Sequence, residues 1–267
     1  MPKTQIGQCA LCGQRKELQL SHIIPKFVGR KLKSPSGNIR STQQPNKVSQ
    51  DIEKHFLLCH DCEELFSAKE RWFSNAIFSP YQDHCKIEFD YDESLTYFII
   101  SLSWRSLYLD LKEFSSNPKF NQDILGTLLY SEKIMRDYLL GKRKDIGTIE
   151  NHVFFLDRIQ SIQGFDLSQH PSIAMHRSIS SYTAYDGRTS FTISNLMGIL
   201  VVTFYSMDAN EHWVNTKIEL ENGTIKAKNQ GMTSIVGKEI QHWMNEMNGA
   251  QKILSEKQQK KIQEKLL

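Results

Sequence analysis

Two pairs of cysteines carry the most specific chemistry in the chain. Cys9-Ala10-Leu11-Cys12 and Cys59-His60-Asp61-Cys62 each have the two-residue spacing that lets both thiolates of one turn reach a single tetrahedral zinc. One such pair alone reads equally as a redox dithiol or as chance. Two of them, in a chain whose remaining cysteine is Cys85, read as one four-thiolate zinc site. Four thiolates leave no open coordination position, so such a zinc is structural and serves to hold something else in place. The nearest candidate for that is Ser21-His22-Ile23-Ile24-Pro25, because a neutral imidazole accepts a proton near pH 7. His22 also has a plainer reading, as a residue that holds its neighbours by a hydrogen bond beside the zinc. After the last cysteine come Glu63 and, seven residues on and so on the same helix face, Glu70. Both are hard oxygen ligands suited to magnesium or manganese. Both also fit the exposed face of a helix that begins with acids, as helix amino-termini favour. His60 is expected to point outward, and His55 to cap or lie at the surface.

These residues need elements to position them. Leu18, Leu20, Ile23 and Ile24 alternate as in a strand, which Pro25 stops. Residues 29–51 are rich in Lys, Ser, Gln, Asn and Gly, with Pro35 and Pro45, and are expected to form a loop. That loop accounts for the 46 residues between the two cysteine pairs, more than compact zinc ribbons use. Phe56, Leu57 and Leu58 resume the apolar pattern. Leu65, Phe66, Trp72, Phe73 and Ile77 then follow at helical spacing, ending before Pro80. A first knuckle before a strand pair and a second at the start of a helix describe a treble-clef arrangement. Zinc would clamp the strand of His22 against the helix that starts near Cys62.

The rest of the chain predicts helices over residues 93–113 and 123–140, then strands near 153–156, 190–193, 199–205, 213–220 and 224–228. Asp186-Gly187 and Asn222-Gly223 are hairpin-turn signals, and a helix is expected from Ser234 into the tail. The expected fold class is α+β: a zinc-bound treble-clef ββα-metal module over residues 1–82, then a mixed body with antiparallel hairpins over residues 83–267. That body has no Gly-rich phosphate loop and no Ser-His-Asp order, which leaves it recognition, regulation, or contact with a protein partner or a second copy. Cys85 and His84, His152, His170, His176, His212 and His242 are expected to have no chemical role.

The net charge of +3 is small, but residues 1–54 carry ten Lys and Arg against three Asp and Glu. A basic amino-terminal segment suits a nucleic-acid backbone, with Lys26, Arg30, Lys31 and Lys33 as the phosphate contacts. A solvated Lys-rich loop has the same composition. The longest apolar runs, such as Ile199–Tyr205, are far too short to span a membrane. The opening residues lack the apolar run of a secretory signal, so the expected location is cytoplasmic.

The order Cys-x-x-Cys, then His-Ile-x-Pro, then Leu-Cys-x-x-Cys opening a helix resembles the HNH endonucleases over roughly residues 9–80. The resemblance implies that His22 is a general base activating water. It further implies that the strand and the helix hold one divalent metal, magnesium or manganese, at the scissile phosphate, with DNA as the favoured partner. Similar Ser-His-Ile-Ile-Pro openings occur in bacterial proteins linked with anti-phage defence. The chain departs from the family pattern at Ser21, where Asp is usual, at Glu63, where His or Asn is usual, and at Lys54 and His55, where the middle Asn commonly lies. Those departures keep a second function open, a decayed zinc-stabilised nucleic-acid-binding or adaptor protein, and a third, a structural subunit that uses the zinc only as a folding staple.

Overall fold

The computed structural model describes residues 5–33, 38–156, 159–162 and 175–260. The expectations for His170 and for residues 261–267 lie outside these. Strands β1 (Gln5–Gln8) and β2 (Arg15–His22) are followed by helix α1 (Lys26–Lys33). Two short strands, β3 (Ile39–Arg40) and β4 (Val48–Ser49), lead to β5 (Lys54–Cys59), and α2 (His60–Phe73) begins at the next residue. β1, β2 and β5 form an antiparallel sheet with Ser21 opposite His55 and His22 opposite Lys54. Leu57 is the extra residue of a bulge, since Gln19 pairs with Leu58 and Leu20 with Phe56. Such a bulge bends and twists the strand that carries it.

The loop expected over residues 29–51 is therefore corrected in part. Four of the eight residues of α1 are Lys or Arg, which hides its apolar side from a composition reading. Val28 is nevertheless fully buried. Gly29 lies so close to Ile52 that a Cβ there would come within 2.9 Å of its side chain. The helix end expected before Pro80 is also corrected. A π turn (Ser74–Phe78) carries the chain into α3 (Ser79–His84), with the Ser79 N–H reaching the Ser74 carbonyl. Pro80 then sits in the first turn of a new helix, where its missing N–H costs nothing.

The body adds β6 (Glu88–Tyr91), α4 (Glu93–Ser116) and α5 (Gln122–Leu139). Asp92 caps α4 by accepting from the Ser94 N–H, and Asn121 caps α5 in the same way. Next come β7 (Glu150–Phe155), β8 (Ile159–Ile162), β9 (Ile179–Asp186), β10 (Thr189–Leu196) and β11 (Ile199–Ser206). β12 (His212–Val214), β13 (Lys217–Ile218), β14 (Gly223–Lys226), β15 (Gln230–Thr233) and α6 (Val236–Lys252) follow. The main sheet has the order β13-β7-β11-β10-β9, with every pair antiparallel. Helices α4 and α5 lie against it, while Val236, Ile240 and Trp243 of α6 pack on Phe154, Phe191 and Phe204. With α-helix packed against it, β10 is buried along its whole length.

Asp186-Gly187 makes the expected hairpin turn between β9 and β10, with Gly187 at φ +58°. Asn222-Gly223 does not. Gly223 instead opens β14, which pairs with β6, and a Cβ there would meet the Tyr91 hydroxyl at 2.5 Å. The glycine serves close approach rather than a turn. The β10–β11 hairpin turns at Met197 and Gly198, both at positive φ, a primed turn with no sequence signal at its first residue.

The apolar core does not stop at residue 82. One cluster joins Val28, Phe73 and Phe78 to Phe98, Phe155 and Val201. A second joins Cys9, Leu11 and Phe66 to Trp104, Leu107 and Leu128.

Candidate metal centre and adjoining His22 site

The chain turns back at Cys9-Ala10-Leu11-Cys12 because Gly13 adopts φ +74°, and the Cys9 N–H is held by the Gln14 carbonyl. This first knuckle is tied to the second: the Ala10 N–H donates to the Leu57 carbonyl, and the Cys59 N–H to the Cys9 sulfur at 3.3 Å. Cys62 arrives from the first turn of α2. All five cysteines are free thiols. The sulfurs of Cys9, Cys12, Cys59 and Cys62 lie within 4.8 Å of one another, and those of Cys12 and Cys59 are 3.9 Å apart. A tetrahedron of zinc–sulfur bonds has edges of about 3.8 Å, whereas a disulfide brings sulfurs to about 2 Å. Burial and the neighbouring Cys9 push the Cys62 thiol upward in pKa, the situation that a bound cation relieves. The four cysteines can hold a metal ion such as zinc, as the spacing predicted.

From this corner β2 runs to Ser21 and His22, whose side chains leave opposite faces of the strand. Ser21 is fully buried, and its Oγ donates to Glu63 Oε2 at 2.6 Å. The residue standing where the HNH pattern has Asp thus binds the carboxylate standing where the pattern has His or Asn. Glu63 is half-buried.

Glu70 does not join Glu63. It lies on the same side of α2 but two turns on, about 10.5 Å along the axis. Its Oε1 is 2.8 Å from Nη2 of Arg105, a guanidinium 1% exposed. Arg105 comes from α4, and its Nη1 donates to the main-chain carbonyl of His22 at 2.8 Å. Its charge is further covered by the Phe66 ring, 5.4 Å away. Among the described residues, no group of three or more His, Cys, Asp or Glu ligands gathers around Glu63 or Glu70.

The ring of His22 is 15% exposed, with Nε2 3.2 Å from Asp51 Oδ1. Asp51 was not expected in the site. Its Oδ2 accepts from Lys54 Nζ at 2.7 Å, and its Oδ1 also accepts from the Ile52 N–H. The Lys54 hydrogen bond, then those of His22 and Ile52, hold its carboxyl down to about 2. Lys54 and His55, the departures from the family pattern, therefore have local partners, His55 binding Glu53 at 2.8 Å.

The four basic residues of α1 separate into two kinds. Lys31 pairs with Asp83 and Lys33 donates to the Gln50 carbonyl, whereas Lys26 and Arg30 are exposed. Lys26, Arg30 and Lys33 line a small pocket of about 180 Å³, with Asp51 on its wall. Asp51 also borders a larger cleft of about 1630 Å³, whose lining mixes Arg40, Lys54 and Arg177 with Glu53 and Glu246. Basic side chains outnumber acidic ones three to one in the small pocket. His60 is exposed as expected, and His152 is buried between Thr216 and Glu150. No helix among the described residues is long and apolar enough to cross a membrane. Comparison of the chain with protein-family models, curated proteins and solved structures found no match.

Proposed function

We propose that the chain is a metal-dependent endonuclease of the HNH type, hydrolysing phosphodiester bonds in nucleic acid, DNA in the first instance, and serving as a bacterial defence effector. One observation carries the reading. The antiparallel β2–β5 pair runs directly into α2, with the four sulfurs at one end of the pair, Ser21 hydrogen-bonded to Glu63 of α2, and His22 the last residue of β2. On this reading the module expected over residues 1–82 is a treble-clef ββα-metal module. Zinc on Cys9, Cys12, Cys59 and Cys62 pins the hairpin to the helix and takes no part in chemistry.

His22 then acts as general base. A water proton passes to its ring, the resulting hydroxide attacks phosphorus, and the bond from phosphorus to the leaving oxygen breaks. A magnesium or manganese ion supplies positive charge at the phosphate when bound. Glu63, oriented by Ser21, is the carboxylate that would hold it. Glu70 is engaged with Arg105 and is left out of this role. Lys26 and Arg30 contact flanking phosphates.

The test is supercoiled DNA incubated with purified protein, with and without magnesium or manganese, wild type beside His22→Ala. Metal-dependent nicking lost in the variant supports the reading. No cleavage of DNA or RNA with any divalent ion removes it. A second reading, a nucleic-acid-binding or adaptor protein that has lost the activity, is favoured by one observation: among the described residues Glu63 belongs to no group of three or more His, Cys, Asp or Glu ligands. Salt-dependent DNA binding without cleavage would select that reading.

A further inference from the structure

The Asp51 contact assigns a role to a residue that no motif marks. We infer that Asp51 is the positioning residue of His22: it holds the ring through Nε2–H and leaves Nδ1 as the nitrogen with an open lone pair. The assignment follows from what each atom can do. An ionised carboxylate only accepts hydrogen bonds, and Asp51 stays ionised throughout the neutral range because Lys54 and the Ile52 N–H donate to it. A neutral imidazole 3.2 Å away must therefore carry its proton on Nε2. Among the described residues, Nδ1 has no hydrogen-bond partner, so it is the basic atom available to a water molecule. The carboxylate is itself fixed: one oxygen is shared by the ring and the Ile52 N–H, the other is taken by Lys54. Arg105 fixes the other end of the residue by its bond to the His22 carbonyl. A base whose second nitrogen is held by a carboxylate is the arrangement that sets tautomer and orientation in nucleophile–base–acid sites. Asp51 also walls both the basic pocket and the cleft.

The catalytic consequence rests on the nuclease reading, but the tautomer does not, and the experiment separates them. Protein labelled with ¹⁵N in its histidine rings is studied at pH 7.5 to 8 by long-range ¹H–¹⁵N correlation, the His22 signals being identified by their loss in His22→Gln. Wild type is expected to show a protonated Nε2 and an unprotonated Nδ1. Asp51→Asn keeps the size of the side chain but offers an amide donor, so the ring is expected to move to the Nδ1–H tautomer or to an average of both. Asp51 is 42% exposed, and unchanged circular dichroism is expected for this variant. Cleavage, where wild type cuts, should fall about 10²-fold in kcat with KM nearly unchanged. A wild-type ring protonated on Nδ1, or a tautomer identical in wild type and Asp51→Asn, overturns the assignment whether or not DNA is cut. A tautomer that shifts as described in a protein that never cuts upholds the assignment and removes the nuclease reading.

Discussion

His22 and Glu63 stand on adjoining elements but face different tasks, so their loss should be felt differently. His22→Ala removes the proton acceptor and should lower cleavage by about 10²–10⁴-fold while leaving zinc content and DNA binding intact. Glu63→Gln removes the charge that holds a hard cation. It should raise the magnesium or manganese concentration needed for half-maximal cleavage, with excess metal restoring part of the rate. Metal titrations of nicking by the two variants check this, and equal cleavage by both would misplace the site. On α1 the partners divide the basic residues. Neutralising Lys26 and Arg30 should weaken DNA binding and flatten its salt dependence, whereas neutralising Lys31 and Lys33, already bound to Asp83 and Gln50, should change the salt slope little. The cysteine cluster could be read from spacing because a turn of fixed length dictates it. Asp51 could not be: it is 29 residues from His22 in a polar stretch without periodicity, and only the pairing of β2 with β5 brings the two together. For Glu70, sharing a helix face with Glu63 says nothing about distance along the axis, and spacing gives no sign of its pairing with Arg105.

At the scale of elements, α4 does what its apolar pattern did not announce. The pattern predicts a helix with a broad buried face and gives no sign that Arg105, inside that face, reaches β2 and α2 at once. Arg105→Met should destabilise the protein by about 3–5 kcal/mol, because Glu70 is left as an unpaired charge in a mostly buried position. The double variant with Glu70→Leu should recover much of that loss, and urea unfolding of the three proteins measures it. Asp110 lies on the same helix, its carboxylate accepting from the Thr183 N–H at 2.6 Å. Burial raises its carboxyl from 3.8 to about 6. A raised acid favours its protonated form in the folded state, so its contribution is present below about pH 4 and lost as pH rises through 6. Asp110→Asn keeps an acceptor for Thr183 and should be more stable than wild type at pH 7.5 by about 1–3 kcal/mol, the difference vanishing near pH 4. Thermal melts of both proteins across pH 4–8 test the sign. Both long helices and strands β7, β10 and β11 are legible from their apolar patterns, whereas β9 is not, and the single strand expected over residues 213–220 divides into β12 and β13, which lie in different sheets. Helix α1 and the continuation through Pro80 were not, since each depends on packing partners, Ile52 for one and a π turn for the other.

Across the whole molecule, the cysteine corner is not an appendage. Cys9, Leu11 and Phe66 share one apolar cluster with Trp104, Leu107 and Leu128. Zinc removal by a strong chelator, or Cys12→Ser, should therefore lower the melting temperature of the chain as a whole. A separate early transition confined to the first eighty residues would contradict the shared core. The basic surplus of residues 1–54 was visible in composition, but composition could not show that half of the charges on α1 have local partners. The common core also bears on how such a chain can be reused. A fragment cut after residue 82 would carry Val28, Phe73 and Phe78 without the Phe98, Phe155 and Val201 that cover them, and Glu70 without Arg105. The amino-terminal segment is thus no portable cassette: grafted onto another protein, it would need α4 to travel with it.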